Sequence, residues 1–460
     1  AESLANGQGY ELINFPRPQI ERNFPPGWPL LLAPFTVILP KNYDALKVVS
    51  LVLWLASIFL VYKLFSKRLA SPYLEMLTAL VALNPLLVGS SVTVMSESAY
   101  GFFSLLALVV FDKTDGKRIS WVVLAALLAL YTQQIRTIGI ALTISLLVIL
   151  LFSRRFKDLG IVSALFIVGF MFQAGINLRN GGTVISSGYE AQVLSGSVMV
   201  KISQVWSNAS GYFDTVLTGA LIPIFGTRLG EMFGGVFIII NILILAILLI
   251  GFFAVKPKLE WMQIYFIIYM LGILAFWNPQ VGSVKTRFLI PILPMLYFYF
   301  LCGLTWLANK ISPRLTARII FGVSGLIALV LLARNLQDWR SPIHEQMTDL
   351  SIGTSWVAEN APEDSIVMVN EPVPAYVHVK RKTIGFPKNG QDLEKYLQNQ
   401  GIDYIVVSPL LQSPRSTELS EAVKEEILPI LISSPGKFMV VYDNPDYNVT
   451  VYQYLNTSQP

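Results

Sequence analysis

Four short clusters of polar residues stand at the margins of long apolar runs, and they carry the side chains able to do chemistry. The first reads Arg22-Asn23-Phe24-Pro25-Pro26-Gly27-Trp28-Pro29. Pro25 and Pro26 stiffen the chain and Gly27 permits a turn, ahead of an apolar stretch at 30–39 that is too short to span a bilayer and suits its surface. The second is Val94-Met95-Ser96-Glu97-Ser98-Ala99-Tyr100. A carboxylate at a membrane margin is costly unless it faces water or a partner, so Glu97 reads as a base, an acceptor for a substrate hydroxyl, or one member of an ion pair. Equally, Ser96 or Glu97 suits a helix N-terminus, where a side chain caps and a negative charge meets the dipole. The third and fourth clusters are Gln133-Gln134-Ile135-Arg136-Thr137 and Lys285-Thr286-Arg287. Arginine offers two parallel donors and a permanent charge, which fits a phosphate; contact with lipid headgroups is the plainer use.

The elements that must position these residues follow from composition. Of 460 residues, 54% are hydrophobic and only 14% charged, and mean hydropathy is +0.58. Soluble domains carry roughly 25% charged residues, so an ordinary soluble enzyme and a disordered chain are both excluded in favour of a polytopic membrane protein. Ten apolar blocks qualify as spans, near 46–62, 73–91, 98–111, 119–134, 137–152, 160–177, 233–254, 261–277, 288–307 and 318–334. Every second joint between them is basic, from Lys63, Lys67 and Arg68 in the first to Lys310, Arg314 and Arg318 in the last, fourteen basic residues in all. The short intervening joints hold only Arg136, Lys285 and Arg287. By the positive-inside rule the fourteen-residue side is cytoplasmic. The opening segment 1–45, the 178–232 loop and everything after about 335 are then outside, and all four clusters face that way. A chain that starts outside without a signal peptide implies a further span upstream of Ala1, or a signal peptide already removed.

Two domains are expected: a helix bundle over 1–339, with outer loops 1–45 and 178–232, and an extracytoplasmic α/β domain over 340–460. In the second, charges return and apolar residues alternate. Strands are read at 365–370 and 402–408, helices at 350–360 and 392–399, and a hairpin at 437–443 and 448–454 around Asn444-Pro445-Asp446. Asn208, Asn448 and Asn456 head sequons. The single Cys302 excludes a disulfide framework, and packing is its plain role; His344 and His378 read as surface residues rather than metal ligands. Phosphate-binding glycine loops, nucleophile elbows and zinc motifs are absent.

The clusters, in this order, resemble the GT-C superfamily, the membrane glycosyltransferases that use a polyprenyl-phosphate-linked sugar and include protein O-mannosyltransferases and the lipid A aminoarabinose transferase. The resemblance rests on 1–7 (AESLANG), 24–31 (FPPGWPLL), Met95-Ser96-Glu97, Arg136-Thr137-Ile138-Gly139 and Arg287-Phe288-Leu289-Ile290-Pro291. The tail, from Trp356-Val357-Ala358-Glu359-Asn360 through 364–370 to Ala375-Tyr376, is similar to the C-terminal domains of bacterial members. The resemblance implies a mainly α, GT-C-like bundle in a bacterial inner membrane or its equivalent. It implies transfer of a hexosyl or pentosyl group from a polyprenyl phosphate to a protein, lipid or glycan, with inversion, without metal or cofactor and without nucleic acid. Glu97 then matches a catalytic acidic position, while Arg136, Arg287, Lys285 and, more loosely, Arg22 match positions that approach the lipid phosphate. The family's main carboxylate is expected just upstream of Ala1.

Two other readings stand beside this one. A non-catalytic subunit or scaffold of a membrane assembly would explain why that carboxylate is not within 1–460. A lipid transporter would want charge near the span centres and pseudo-symmetric halves, and neither is visible.

Overall fold

Each of the ten apolar blocks is helical in the computed structural model of the protein, which describes residues 1–21, 24–113, 118–179, 184, 197–223, 234–255, 260–277, 285–340, 348–387, 392–409, 419 and 423–455. Among the described residues, five helical segments are long and apolar enough to cross a membrane: Lys47–Phe65, Phe156–Arg179, Gly234–Ala254, Lys285–Ile311 and Thr316–Arg340. The chain is an integral membrane protein. The block expected as one span at 73–91 is instead two helices, Tyr73–Leu83 and Pro85–Ser91, bent by 56°. Pro85 cannot donate to the preceding turn, and Asn84 leaves helical geometry to cap the second of the two, its Oδ1 accepting from the Leu86 N–H at 3.0 Å. Four further blocks form shorter helices, Ser96–Asp112, Ile119–Ile135, Ile140–Phe152 (after a 3₁₀ turn, Thr137–Gly139) and Trp261–Phe276. Seventeen residues of helix extend about 25 Å, short of a hydrocarbon core of roughly 30 Å. Among the described residues the bent pair also passes the same test of length and composition if its two helices are taken as one span.

Close backbone approach holds part of the bundle together. A Cβ on Gly251 would fall 1.7 Å from the Tyr299 carbonyl oxygen, and one on Gly303 would fall 1.9 Å from that of Ile247. Helices Gly234–Ala254 and Leu293–Ile311 therefore cross at two glycines, the small-residue packing that lets helices associate where no hydrophobic drive separates them from lipid. At another helix end Arg68 donates to Glu260 Oε2 at 2.7 Å and to Asp112 Oδ2, tying three helices. In the 178–232 region the described residues form helices Val198–Gly211 and Leu217–Leu221 with a π turn, Tyr212–Val216, between them. Asn208 is buried there, its Nδ2 bonded to the carbonyls of Leu274 and Trp277, so the first sequon serves packing.

The chain divides into two units, one holding Arg22–Ile38 and Asp44–Gln337, the other Glu2–Glu21, Leu39–Tyr43 and Asp338–Pro460. Residues Glu2–Glu21 and Leu39–Tyr43 thus group with Asp338–Pro460 rather than with the helices. The second unit is built on a five-stranded sheet in the order β4-β3-β5-β7-β6, with β3 (Ile366–Val369), β4 (Lys382–Ile384), β5 (Tyr404–Val407), β6 (Phe438–Asn444) and β7 (Val449–Tyr454). Strands β3, β4 and β5 run parallel, and β7 pairs antiparallel with β5 and β6. The opening segment joins it at the β4 edge. The Thr383 N–H donates to the Asn14 carbonyl at 2.6 Å, and Lys382 Nζ to the Ile13 carbonyl at 2.5 Å. A sheet edge presents unpaired backbone groups, and covering one is a general solution. The segment folds on itself through a one-turn helix, Glu2–Ala5, and the ribbon β1 (Glu11–Leu12) and β2 (Gln19–Ile20). Tyr43 donates to Glu2 Oε2 at 2.9 Å.

Candidate active site

Glu97, Arg136 and Arg287, far apart in sequence, meet at one point in the helix unit. Glu97 lies in the first turn of helix Ser96–Asp112, whose cap position is the extended Met95 without a side-chain cap bond. The carboxylate does not cap the helix; it turns to the arginines. Glu97 Oε1 accepts from Arg136 Nη1 at 2.7 Å and from Arg287 Nε at 2.9 Å and Nη2. The Glu97 side chain is 2% exposed, that of Arg136 17% and that of Arg287 35%. A carboxylate taken out of water requires such partners, since an unpaired buried charge is far costlier than a paired one.

Local sequence sets each arginine. Arg136 ends helix Ile119–Ile135 in extended backbone, its N–H still bonded to the Thr132 carbonyl, and its own carbonyl accepts from Gly139. The turn is so tight that a Cβ on Gly139 would lie 2.5 Å from the Gln133 nitrogen, which explains a glycine three residues after the arginine. The Arg136 guanidinium lies 5.3 Å from the centre of the Phe288 ring, so the residue after Arg287 supports the other arginine. Phe288 is fixed in turn by its carbonyl, which accepts from Tyr269 Oη at 2.8 Å. Behind it Tyr100, Tyr265 and Tyr269 are buried together, the first two hydroxyls 3.1 Å apart. Ser96 Oγ makes a long bond to Arg136 at 3.4 Å, and Ser98 Oγ donates to the Ser90 carbonyl at 3.0 Å.

Of the remaining candidates, Lys285 is held elsewhere. Its Nζ lies 4.7 Å from the Trp277 ring centre and against Gly211, while its carbonyl accepts from Tyr212 Oη. Lys285 therefore braces helix Val198–Gly211, and no bond joins it to Glu97. Arg22 lies outside the described residues, as does His344. His378 is half-buried in helix Pro372–Val379. Among the described residues no group of three or more His, Cys, Asp or Glu is placed to hold a metal. Two further positions complete the neighbourhood, Gly27 of the first cluster and Trp54, which sequence alone did not mark. Gly27 sits on the Gln134–Ile135 backbone beside Arg136, and Trp54 lines the same pocket as Glu97.

Two guanidiniums against one carboxylate leave one positive charge in excess, and the more exposed Arg287 presents it. Such an arrangement can receive an anion without a metal.

No protein-family model matches the sequence, and no curated protein matches it. Among solved structures, ArnT from Cupriavidus metallidurans in the apo state superposes with a TM-score of 0.59 at 10% identity, over 99% of this chain and 91% of that one. The chain shares the fold of that ArnT. The structure of that ArnT bound to undecaprenyl phosphate gives a TM-score of 0.48 at 12% identity, over 99% of this chain and 92% of the other. The expected architecture, a mainly α polytopic helix bundle with a small α/β domain, is the one observed.

Proposed function

We propose that the protein is a membrane glycosyltransferase that moves a sugar from a polyprenyl phosphate to an acceptor hydroxyl on the extracytoplasmic side, without a metal and with inversion. The observation that carries this reading is the convergence of Arg136 and Arg287 on the buried Glu97, with Arg287 still partly open. The shared fold supports it, as does the distribution of lysine and arginine between alternate joints, which puts these clusters outside.

In this reading Arg287 and Arg136 receive the lipid phosphate and neutralise the charge that grows on it as the sugar leaves. Glu97 keeps the two guanidiniums apart and aimed before the donor arrives. As the phosphate takes over their donors, the carboxylate is released toward the acceptor. The acceptor oxygen bonds to the anomeric carbon from the face opposite the phosphate, the carbon–oxygen bond to the phosphate breaks with its electron pair, and the hydroxyl proton passes to a carboxylate. Glu97 is the carboxylate in place for this; Lys285, engaged on Trp277, acts on the bracing helix.

The broken helix at Asn84 is the one feature that favours a transporter. Groups at the break are engaged within the bundle, however: Asn84 Nδ2 donates to the Ala220 carbonyl at 2.7 Å and to Tyr297 Oη at 3.0 Å, and Asn335 Nδ2 to the Leu83 carbonyl at 2.7 Å.

The deciding experiment is transfer from synthetic polyprenyl-phosphate sugars by the purified protein in lipid nanodiscs, with product configuration read by NMR. Inverted product whose formation falls at least tenfold in Glu97→Gln supports the reading. Absence of transfer from every donor, with polyprenyl phosphate bound equally by Arg136→Ala, Arg287→Ala and the unaltered protein, overturns it and favours a non-catalytic subunit.

A further inference from the structure

Only one oxygen of Glu97 is engaged by the arginines. Oε2 is buried and makes no hydrogen bond. Glu97 also lines a pocket between helices Lys47–Phe65, Ser96–Asp112 and the Lys285–Ile311 segment, whose other walls include Trp54, Ile58, Leu87, Leu105 and Pro291. Trp54 Nε1 is likewise buried without a partner. The pocket's serines do not share this condition: Ser57 Oγ donates to the Leu53 carbonyl, Ser90 Oγ to that of Leu87 and Ser98 Oγ to that of Ser90. Among the residues that line this apolar pocket, Glu97 thus holds a buried unpaired acceptor and Trp54 a buried unpaired donor. Buried polar groups without partners are rare in native structures and call for an explanation.

The chemistry of the two atoms selects the occupant. A purely hydrocarbon chain, such as the prenyl tail of a donor, would leave both atoms unpaired in an apolar setting. An anion would meet the Glu97 carboxylate. A neutral hydroxyl both donates and accepts, and it is suited to a carboxylate oxygen and an indole N–H alike. We propose that this pocket takes an aliphatic or isoprenoid chain bearing a hydroxyl, that Glu97 Oε2 and Trp54 Nε1 bind its hydroxyl-bearing head, and that this alcohol is the sugar acceptor. The last clause rests on the glycosyltransferase reading; the binding site does not. In the transfer the alcohol oxygen bonds to the anomeric carbon, the bond from that carbon to the phosphate oxygen breaks with its electron pair, and the hydroxyl proton goes to Glu97 Oε2. The acceptor class is a lipid alcohol rather than a serine or threonine of a protein.

The test uses the whole protein in nanodiscs and a dodecan-1-ol probe carrying a diazirine in its chain. Photolabelling maps to the pocket, at Ile58, Leu87 or Leu105. Unlabelled dodecan-1-ol competes at about tenfold lower concentration than 1-methoxydodecane, which has lost the proton that Glu97 accepts. Trp54→Phe, which keeps a ring and removes the N–H, weakens alcohol and ether alike, roughly three- to fivefold, and leaves the ratio between them, which Glu97 sets, unchanged. Equal competition by alcohol and ether on the unaltered protein, or labelling elsewhere, overturns the site, whatever the fate of the variant. Sugar transfer onto dodecan-1-ol supports the acceptor assignment. Transfer to a peptide hydroxyl with none to the alcohol overturns that assignment and leaves the glycosyltransferase reading standing. Loss of that reading, shown by polyprenyl phosphate binding that ignores both arginines, removes the acceptor role while the competition arm still decides the site.

Discussion

Gly27 rests directly on the backbone of Gln134: a Cβ added to it would lie 2.4 Å from the Gln134 carbonyl oxygen and 2.8 Å from the Ile135 nitrogen. The contact fixes the end of helix Ile119–Ile135 one residue before Arg136, and Tyr131 Oη, donating to the Gly27 carbonyl at 3.1 Å, reinforces it. Gly27→Ala must push the two backbones apart, because the obstructing atoms are main chain and no rotamer can relieve the overlap. The substitution is expected to cost about 1–3 kcal/mol of stability and to loosen Arg136, weakening polyprenyl phosphate binding. Thermal unfolding in detergent and lipid-phosphate binding check the two effects; an unchanged melting temperature would mean that the contact is not tight.

The two arginines are expected to behave differently despite sharing one carboxylate oxygen. Arg136 is the more buried and packs on Phe288, whereas Arg287 is one-third exposed. Removing one partner of a buried pair leaves an uncompensated charge, typically at about 3–5 kcal/mol, but here the second arginine remains as a partner. Arg136→Ala should therefore destabilise by somewhat less, about 2 kcal/mol, and Arg287→Ala by about 1 kcal/mol, where water reaches the pair. Donor binding should reverse that ranking, with Arg287→Ala the more harmful because its charge is the one in excess. Combining each with Glu97→Gln should give losses smaller than the sum of the singles, since the partners act as a unit. A double-mutant cycle on melting temperature and phosphate affinity measures both; strict additivity would separate the three residues.

How much of this could be read from sequence divides by the physics of the signal. Glu97, Arg136 and Arg287 were legible because charges at apolar margins are expensive, and the alternation of basic joints made two arginines conspicuous. Their convergence was not legible, since it depends on how three helical segments pack. Lys285 shared the same signal as Arg287 and yet lies on Trp277; two residues apart on a 3₁₀ turn, they face different neighbours. The break at Asn84 carried an overlooked mark, an Asn-Pro pair within an apolar run, which commonly initiates a turn. Trp54 carried none, because a tryptophan in a membrane segment reads as a belt residue. In the second unit the two longer parallel-sheet strands and the hairpin were visible as alternating runs, but β4 has three residues and the segment at its edge pairs through only a few bonds.

Asn84 is wholly buried and carries three hydrogen bonds, one to its own helix start and two to the Ala220 carbonyl and Tyr297 Oη. Asn84→Ala removes the cap and strands partners that have no water to turn to, although Tyr297 keeps its own bond to the Leu221 carbonyl at 2.7 Å. The expected cost is about 2–3 kcal/mol, near the sum of a lost cap and one orphaned acceptor. Asn84→Asp keeps the cap acceptor but buries a carboxylate against the Ala220 carbonyl, so it should cost at least as much as the alanine. Unfolding midpoints in mixed detergent rank the variants, and an alanine variant as stable as the parent would show that the bend is held by Pro85 alone.

Arg68 provides the control that separates a site from a staple. Its side chain is 11% exposed and joins Asp112 to Glu260, a second ion cluster in the helix unit, more open than that around Glu97. Asp112 and Glu97 occupy opposite ends of one helix, Ser96–Asp112, which puts them about 22 Å apart along its axis. Exposed charges at that separation are screened, and the rigid helix offers no direct route for a lost bond at one end to alter donor groups at the other. Arg68→Ala should thus destabilise by about 2 kcal/mol or more, leaving two carboxylates facing each other without their cation. It should leave the affinity of the folded protein for polyprenyl phosphate within about twofold, a margin below 0.5 kcal/mol. The same pair of measurements applied to Arg287→Ala should show the opposite pattern, a small loss of stability and a large loss of binding. If Arg68→Ala lowers phosphate affinity as much as Arg287→Ala does, the effect of both is on the fold, and the phosphate role of Arg287 falls.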